Sequence, residues 1–126
     1  ETIFVVEDEQ SVRDATKELL KTLNYQVICA EDGREVLDLS DDRLNEIDLI
    51  LSDFVMPNVG GEELCVALAE RNIGTPIIIM SGYLGDRDLP KQARKFNDGW
   101  LEKPIDRRRL ASMVYSTLSE NKRQQS

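Results

Sequence analysis

Five short apolar runs, each followed by a stretch with helical spacing, recur along the 126-residue chain. They are Thr2–Val6, Tyr25–Ala30, Ile47–Ser52, Pro76–Ser81 and Gly99–Glu102. Three of the runs are continuously or nearly continuously apolar, which is the pattern of central strands in a parallel sheet covered on both faces. Between them, Val12, Ala15, Thr16, Leu19, Leu20 and Leu23 follow helical spacing after Ser11, a residue type suited to cap a helix. A second helix is expected over Arg34–Ser40, and a third, marked by Leu64, Ala67 and Leu68, after Gly60-Gly61. A fourth over about Pro90–Phe96 must be short and late, because proline is tolerated only near a helix start. Leu110, Met113, Val114, Thr117 and Leu118 mark the last helix. Five βα units predict an α/β fold with a parallel sheet and right-handed crossovers. One domain over residues 1–120 accounts for the pattern, with Asn121–Ser126 as a polar tail or linker stub.

Composition narrows the chemistry such a sheet can carry. The chain has no histidine, which excludes Ser-His-Asp and Cys-His nucleophile pairs, His-ligated zinc and histidine general bases. A net charge of −8 argues against nucleic acid as a direct partner, since phosphate binding needs clustered Lys and Arg. The charge is uneven: residues 1–63 carry net −12 and residues 64–126 net +4. This predicts an acidic site in the first half and a basic face in the second. Cys29 and Cys65 lie in apolar runs and are expected as two buried thiols, in keeping with a cytoplasmic protein. No apolar stretch reaches the roughly 20 residues that span a bilayer, and no signal peptide is evident. A chain that starts at Glu1 rather than Met is expected to be either a trimmed chain or a piece of a longer protein.

In open α/β sheets the ligand crevice lies beyond the carboxyl ends of the strands. The first strand ends in Glu7-Asp8-Glu9, the third in Asp53, the fourth in Ser81 and the fifth in Lys103-Pro104; every strand end except the second is read as offering a polar or charged group. Glu7, Asp8 and Asp53 converge if the first and third strands are neighbours. Carboxylates so placed repel and raise one another's pKa unless a cation compensates, and hard oxygen ligands suit Mg²⁺. A single acid at a strand end is ordinarily a solvated helix cap, and a lone lysine is ordinarily a solvated surface group. The combination with Ser81 and Lys103 is harder to explain that way. Lys103 precedes a proline, so its peptide bond can be cis. Aimed at the acids, it could pair with Asp53 and hold a phosphoryl oxygen as a point charge. Ser81 could cap the next loop or donate a hydrogen bond to the same oxygen.

Taken in order, Glu7-Asp8, Asp53-Phe54-Val55-Met56-Pro57 with Gly60-Gly61, Ser81-Gly82 and Lys103-Pro104 resemble the receiver domain of two-component response regulators over essentially the whole chain. Each motif is weak by itself; together, each at its strand end, they are specific. The resemblance implies a flavodoxin-like (βα)5 three-layer sandwich around a central five-stranded parallel sheet of order 2-1-3-4-5. It implies a regulatory phosphoacceptor in a phosphorelay rather than an enzyme. Asp53 would take a phosphoryl group from a partner histidine kinase or phosphotransfer protein, with slow autodephosphorylation. Carboxylates can act as nucleophiles in this way. Mg²⁺, or Mn²⁺ in its place, would be held by Asp8, Asp53 and the backbone carbonyl of Val55, with Glu7 acting through water. Lys103 and Ser81 would contact the phosphoryl group, and Trp100 would occupy the position of the aromatic that moves as Ser81 does. Core packing is the competing role for Trp100.

The positions two beyond Asp53 and Ser81 are Val55 and Tyr83. One is apolar and the other bulky, so both are expected to hinder the hydrolytic water and prolong the aspartyl phosphate. Lys91, Arg94, Lys95, Arg107, Arg108 and Arg109 cluster around the fourth and fifth expected helices. A solvated charged face explains them, as does a homodimer or effector surface built from those helices and the fifth strand. Two other readings remain. An Mg²⁺-dependent aspartyl-nucleophile phosphohydrolase needs Asp-x-Asp at the first strand end, and Glu7-Asp8-Glu9-Gln10 fits in neither frame. A receiver-like interaction module that is never phosphorylated is disfavoured by the intact Asp8, Asp53 and Lys103.

Overall fold

The structure, a computed structural model, describes residues 1–82 and 99–125. Five strands, β1 (Thr2–Val6), β2 (Gln26–Ala30), β3 (Leu49–Asp53), β4 (Ile77–Ser81) and β5 (Gly99–Glu102), form one parallel sheet in the order β2-β1-β3-β4-β5. The helices among the described residues are α1 (Gln10–Thr22), α2 (Gly33–Leu37), α3 (Asp41–Asn45), α4 (Gly61–Glu70) and α5 (Arg107–Gln125). The architecture is the flavodoxin-like sandwich expected. The fourth expected helix near Pro90–Phe96, with Lys91, Arg94 and Lys95, lies outside the described residues, as does Tyr83.

Side chains alternate across each strand, so the two faces of the sheet carry separate cores. Phe4, Val6, Ile50, Ile77 and Ile79 pack with Val36, Leu44, Leu64 and Leu68 of α2, α3 and α4. Ile3, Val5, Leu49, Leu51, Ile78, Met80 and Leu101 pack with Leu20 of α1 and with Leu110, Val114 and Leu118 of α5. β3 and β4 are buried at every position, which explains why their sequences are apolar runs rather than alternating ones.

Helix boundaries depart from expectation at two places. α1 starts at Gln10, with Glu9 rather than Ser11 at its N-cap and no side-chain capping bond. The second helix divides in two: α2 stops at Leu37, and Ser40 starts α3 by accepting the Arg43 N–H on its hydroxyl at 3.2 Å. Arg71, at the end of α4, holds the break by donating to the carbonyls of Leu37 and Leu39 and to the Asp41 carboxylate. α5 is capped by Asp106, whose carboxylate accepts the Arg108 and Arg109 N–H groups at 2.8 and 3.1 Å. It runs on to Gln125, so residues 121–125 prolong the helix. Both cysteines are thiols; Cys65 is buried and Cys29 only half-buried on the edge strand β2. Burial pushes the Cys29 thiol up despite the nearby Lys17 and Arg13. Among the described residues no helix is long and apolar enough to cross a membrane.

Candidate functional site

Strand register brings the strand ends together. Val6 stands opposite Ser52 in the β1–β3 pairing, so Glu7 and Asp53 come next on adjacent strands. By alternation Glu7, Asp53 and Lys103 extend the same face as Val5, Leu51 and Leu101. Lys103 Nζ lies 2.6 Å from Glu7 Oε1 and 3.0 Å from Asp53 Oδ1. Glu7 is fully buried, Asp53 is 8% exposed and Asp8 is exposed. One carboxylate oxygen from each of Glu7, Asp8 and Asp53 lies within 4.8 Å of the others.

Backbone contacts fix each group. The Glu7 N–H donates to the Ala30 carbonyl at 3.0 Å, and Arg13 Nη1 donates to the Glu7 carbonyl at 2.8 Å. Lys103 begins beyond β5, where its N–H donates to the Ser81 carbonyl at 2.7 Å and its peptide bond to Pro104 is cis. Asp53 Oδ1 accepts the Phe54 N–H at 3.1 Å. The loop that follows closes when the Gly61 N–H reaches the Phe54 carbonyl at 2.9 Å. Only glycine allows this approach at residue 61, since a Cβ there would sit 2.8 Å from the Asp53 carbonyl oxygen.

The electrostatics are those of an overloaded acidic pocket. Burial pushes Glu7 up to about 7; the Lys103 hydrogen bond opposes this, and the Asp53 charge and the Asp8 hydrogen bond add to it. For Lys103, burial lowers the pKa, but hydrogen bonds and charge from Glu7 and Asp53 outweigh it and hold the ammonium above its ordinary value. A single lysine leaves this carboxylate group short of positive charge. Hard oxygen donors that close, with one acid pushed up chiefly by its burial, fit a small divalent cation.

The other predicted groups fall around this centre. Ser81 is buried at the end of β4. Val55 is 57% exposed in the loop after Asp53. Trp100 stands opposite Ile79 in the β4–β5 pairing and so shares a face with Ser81, two residues further along β4. Its ring meets that of Phe54 edge-on, with 5.7 Å between centroids. Its Nε1 is buried with no hydrogen-bond partner among the described residues.

Reading strand ends passed over β2, whose end carries Glu31-Asp32. Asp32 is buried and caps α2, and its carboxylate reaches across to the loop after β3. Oδ1 accepts the N–H groups of Arg34 at 2.8 Å and Val59 at 3.0 Å, and Oδ2 accepts that of Asn58 at 2.9 Å. Burial raises its pKa, but the three backbone donors win and hold it below the ordinary value. The available signal is an Asp-Gly pair one residue beyond the second strand, a turn-and-cap signature that sequence alone does not link to a loop 26 residues away.

Known proteins resemble this chain over most of its length. The model of the response regulator receiver domain matches residues 3–115. Sensor kinase CckA of Brucella abortus (strain 2308) is 35% identical over 122 residues, covering 94% of this chain and 13% of that protein. Transcriptional regulatory protein TdiR of Thauera aromatica is 36% identical over 122 residues, covering 96% of this chain and 52% of that protein. Among solved structures, the receiver domain of the Francisella response regulator 1452 superposes with a TM-score of 0.85 at 26% identity, covering 95% of this chain and 98% of that one. The chain thus spans about half or less of the length of these two curated relatives.

Proposed function

The chain belongs to the response regulator receiver domain family of two-component signalling, and from that membership we propose that Asp53 is its phosphoacceptor. The observation that carries the assignment is the position of the Asp53 carboxylate: at the end of a fully buried strand, 3.0 Å from the Lys103 ammonium and inside a group of three carboxylates. A carboxylate oxygen of Asp53 attacks the phosphorus of a phosphohistidine on a partner kinase or phosphotransfer protein. The new O–P bond forms as the P–N bond breaks, and the imidazole nitrogen leaves with the bonding pair and takes a proton from solvent. Asp8, Asp53 and the Val55 carbonyl would hold Mg²⁺, or Mn²⁺ in its place, with Glu7 acting through water, and the cation would neutralise charge on the phosphoryl oxygens.

The chain's own residues divide the remaining work. Lys103, already shared between Glu7 and Asp53, turns its charge to the incoming phosphoryl oxygens. Ser81 donates its hydroxyl to the same group, and Trp100 follows on the shared face. Val55 and Tyr83 limit access of the hydrolytic water. The receiver is regulatory and not an enzyme in its own right, and its setting is cytoplasmic.

Beside Lys103 opens a groove of about 540 Å³, lined by Val12, Ala15, Thr16, Pro104 and Ile105. A donor protein bringing a phosphohistidine to Asp53 would cover this surface, apolar along Val12, Ala15, Pro104 and Ile105 and polar at Glu9 and Ser11. Output would leave through the face carrying β5 and α5, where Arg107, Arg108 and Arg109 are exposed, toward an effector or a second copy. Its partners are proteins, with no direct contact to nucleic acid or membrane.

The test is intact mass after exposure to acetyl phosphate with and without Mg²⁺. Wild type gains one phosphoryl group only with Mg²⁺, and Asp53→Asn gains none. Equal labelling of the two proteins would overturn the assignment.

A further inference from the structure

Residues 54–60 link the proposed acceptor to α4, and they contain Val55, whose carbonyl is the one proposed ligand supplied by a backbone. A backbone ligand has no rotamer to adjust, so its position depends on what holds the loop. At the base, the Gly61 N–H closes on the Phe54 carbonyl. Met56 and Val59 turn inward into the core, while Pro57 and Asn58 stay exposed. The far side of the loop would carry unpaired backbone donors were it not for Asp32. Its two oxygens take the Asn58 and Val59 N–H groups, and the adjacent Gly33 N–H returns a bond to the Val59 carbonyl at 3.2 Å. Residues 32–33 therefore grip residues 58–59 in both directions. The grip is close: a Cβ on Gly33 would lie 2.7 Å from the Val59 carbonyl oxygen. Asp32 also caps α2 through the Arg34 N–H, so the loop is tied to the start of a helix rather than to another loose segment.

We infer that Asp32 is a positioning residue for the acceptor loop, holding the Asn58 and Val59 amides so that the Val55 carbonyl is set in advance for the cation beside Asp53. Asp32 touches neither phosphoryl group nor cation. It acts through the loop, as outer residues that orient metal ligands do. The inference rests on the reading of Asp8, Asp53 and the Val55 carbonyl as the cation site.

Two substitutions disturb the grip by different routes. In Asp32→Asn one oxygen can still accept the Arg34 and Val59 N–H groups, but the amide nitrogen is set against the Asn58 N–H. In Gly33→Ala the acid and its charge remain, and the new methyl pushes on the Val59 carbonyl. MgCl₂ is titrated into the ¹⁵N-labelled proteins, at a temperature where circular dichroism shows each fully folded, and half-saturation is read from amide shifts around residue 53. Amide exchange is measured alongside. Both variants should raise the Mg²⁺ half-saturation roughly tenfold and speed exchange at residues 58 and 59, while α5 amides keep their protection. Labelling by acetyl phosphate should recover as Mg²⁺ is raised. A purely structural role would alter stability and leave the Mg²⁺ half-saturation where it was, and that result would overturn the inference. Weakening in Asp32→Asn with none in Gly33→Ala would also overturn it, because the lost charge would then be the cause. Should Asp32→Asn fail to fold, Gly33→Ala alone decides. Absence of saturable Mg²⁺ binding in wild type would remove the cation-site reading and the inference with it; normal wild-type binding with unchanged variants removes only the inference.

Discussion

The ring of Trp100 rests edge-on against that of Phe54, the residue joined directly to the proposed acceptor Asp53. Movement at the acceptor therefore has a contact through which to reach β5. Trp100 is the only tryptophan, and its indole N–H is buried without an acceptor among the described residues. Beryllofluoride with Mg²⁺, a phosphoryl mimic, should shift Trp100 emission in wild type and much less in Phe54→Leu. An identical spectrum with and without the mimic would exclude Trp100 as part of the switch.

The same orphaned N–H predicts a mild substitution. A buried donor without a partner costs about 1–3 kcal/mol, which Trp100→Phe relieves while losing part of the packing. The two effects oppose, so denaturant unfolding should place this variant within about 1 kcal/mol of wild type. A loss of the size usual for a large-to-small core change would show that the N–H finds a partner in solution.

Glu7 makes metal-free stability depend on pH. Its folded pKa of about 7 exceeds its ordinary 4.5, so the native state keeps a proton that the unfolded chain gives up. The stabilisation is complete below about 4.5, declines as pH rises and is gone above about 7. In EDTA, wild type should lose stability relative to Glu7→Gln across this window, by up to about 3 kcal/mol. A constant difference between the two proteins from pH 4.5 to 8 would contradict it.

Lys103→Met separates charge from packing. Without the ammonium, phosphorylation by acetyl phosphate should slow roughly 10²-fold, the size of effect seen when one donor to a developing charge is removed. Mg²⁺ should bind more tightly, because the cation no longer shares Glu7 and Asp53 with a lysine 2.6 and 3.0 Å away. Stopped-flow labelling and Mg²⁺ titration measure the two effects, and weaker Mg²⁺ binding would show that Lys103 serves the site by packing.

Val55 is exposed two residues beyond the proposed acceptor, and its side chain offers a water nothing to bond. Val55→Asn should hasten loss of the phosphoryl group by roughly tenfold, short of the 10²–10⁴ that a positioned general base supplies. An unaltered lifetime would shift the control of hydrolysis away from this position.

Much of the fold and of the site is legible in the sequence. Apolar runs such as Ile77-Ile78-Ile79-Met80 announce buried strands because both faces of the sheet are covered. The strand-end rule then places Glu7, Asp53 and Lys103 at one edge without a side chain being seen. What stayed hidden depends on partners distant in sequence. The division of the second helix is held by Arg71, some 30 residues on from the break. The role of Asp32 depends on amides at 58 and 59 that carry no side-chain signature, since any residue supplies an N–H. The start of α1 at Gln10 rather than after Ser11 shows a third limit. A good cap residue marks where a helix can begin, but here the chain leaves β1 already turning.

β3 and β4 are buried at every position, so the carboxylate proposed to take the phosphoryl group stands on the least yielding part of the molecule. Strain introduced there is not absorbed by the strand and is relieved at the segments that open most easily, the loops at the strand ends. Under the proposed function, how long the message lasts is set by a few groups around Asp53, and who hears it by exposed residues such as Arg107, Arg108 and Arg109. On that reading, a substitution on the exposed face of α5 can alter what the receiver contacts and leave the phosphoryl lifetime as it was.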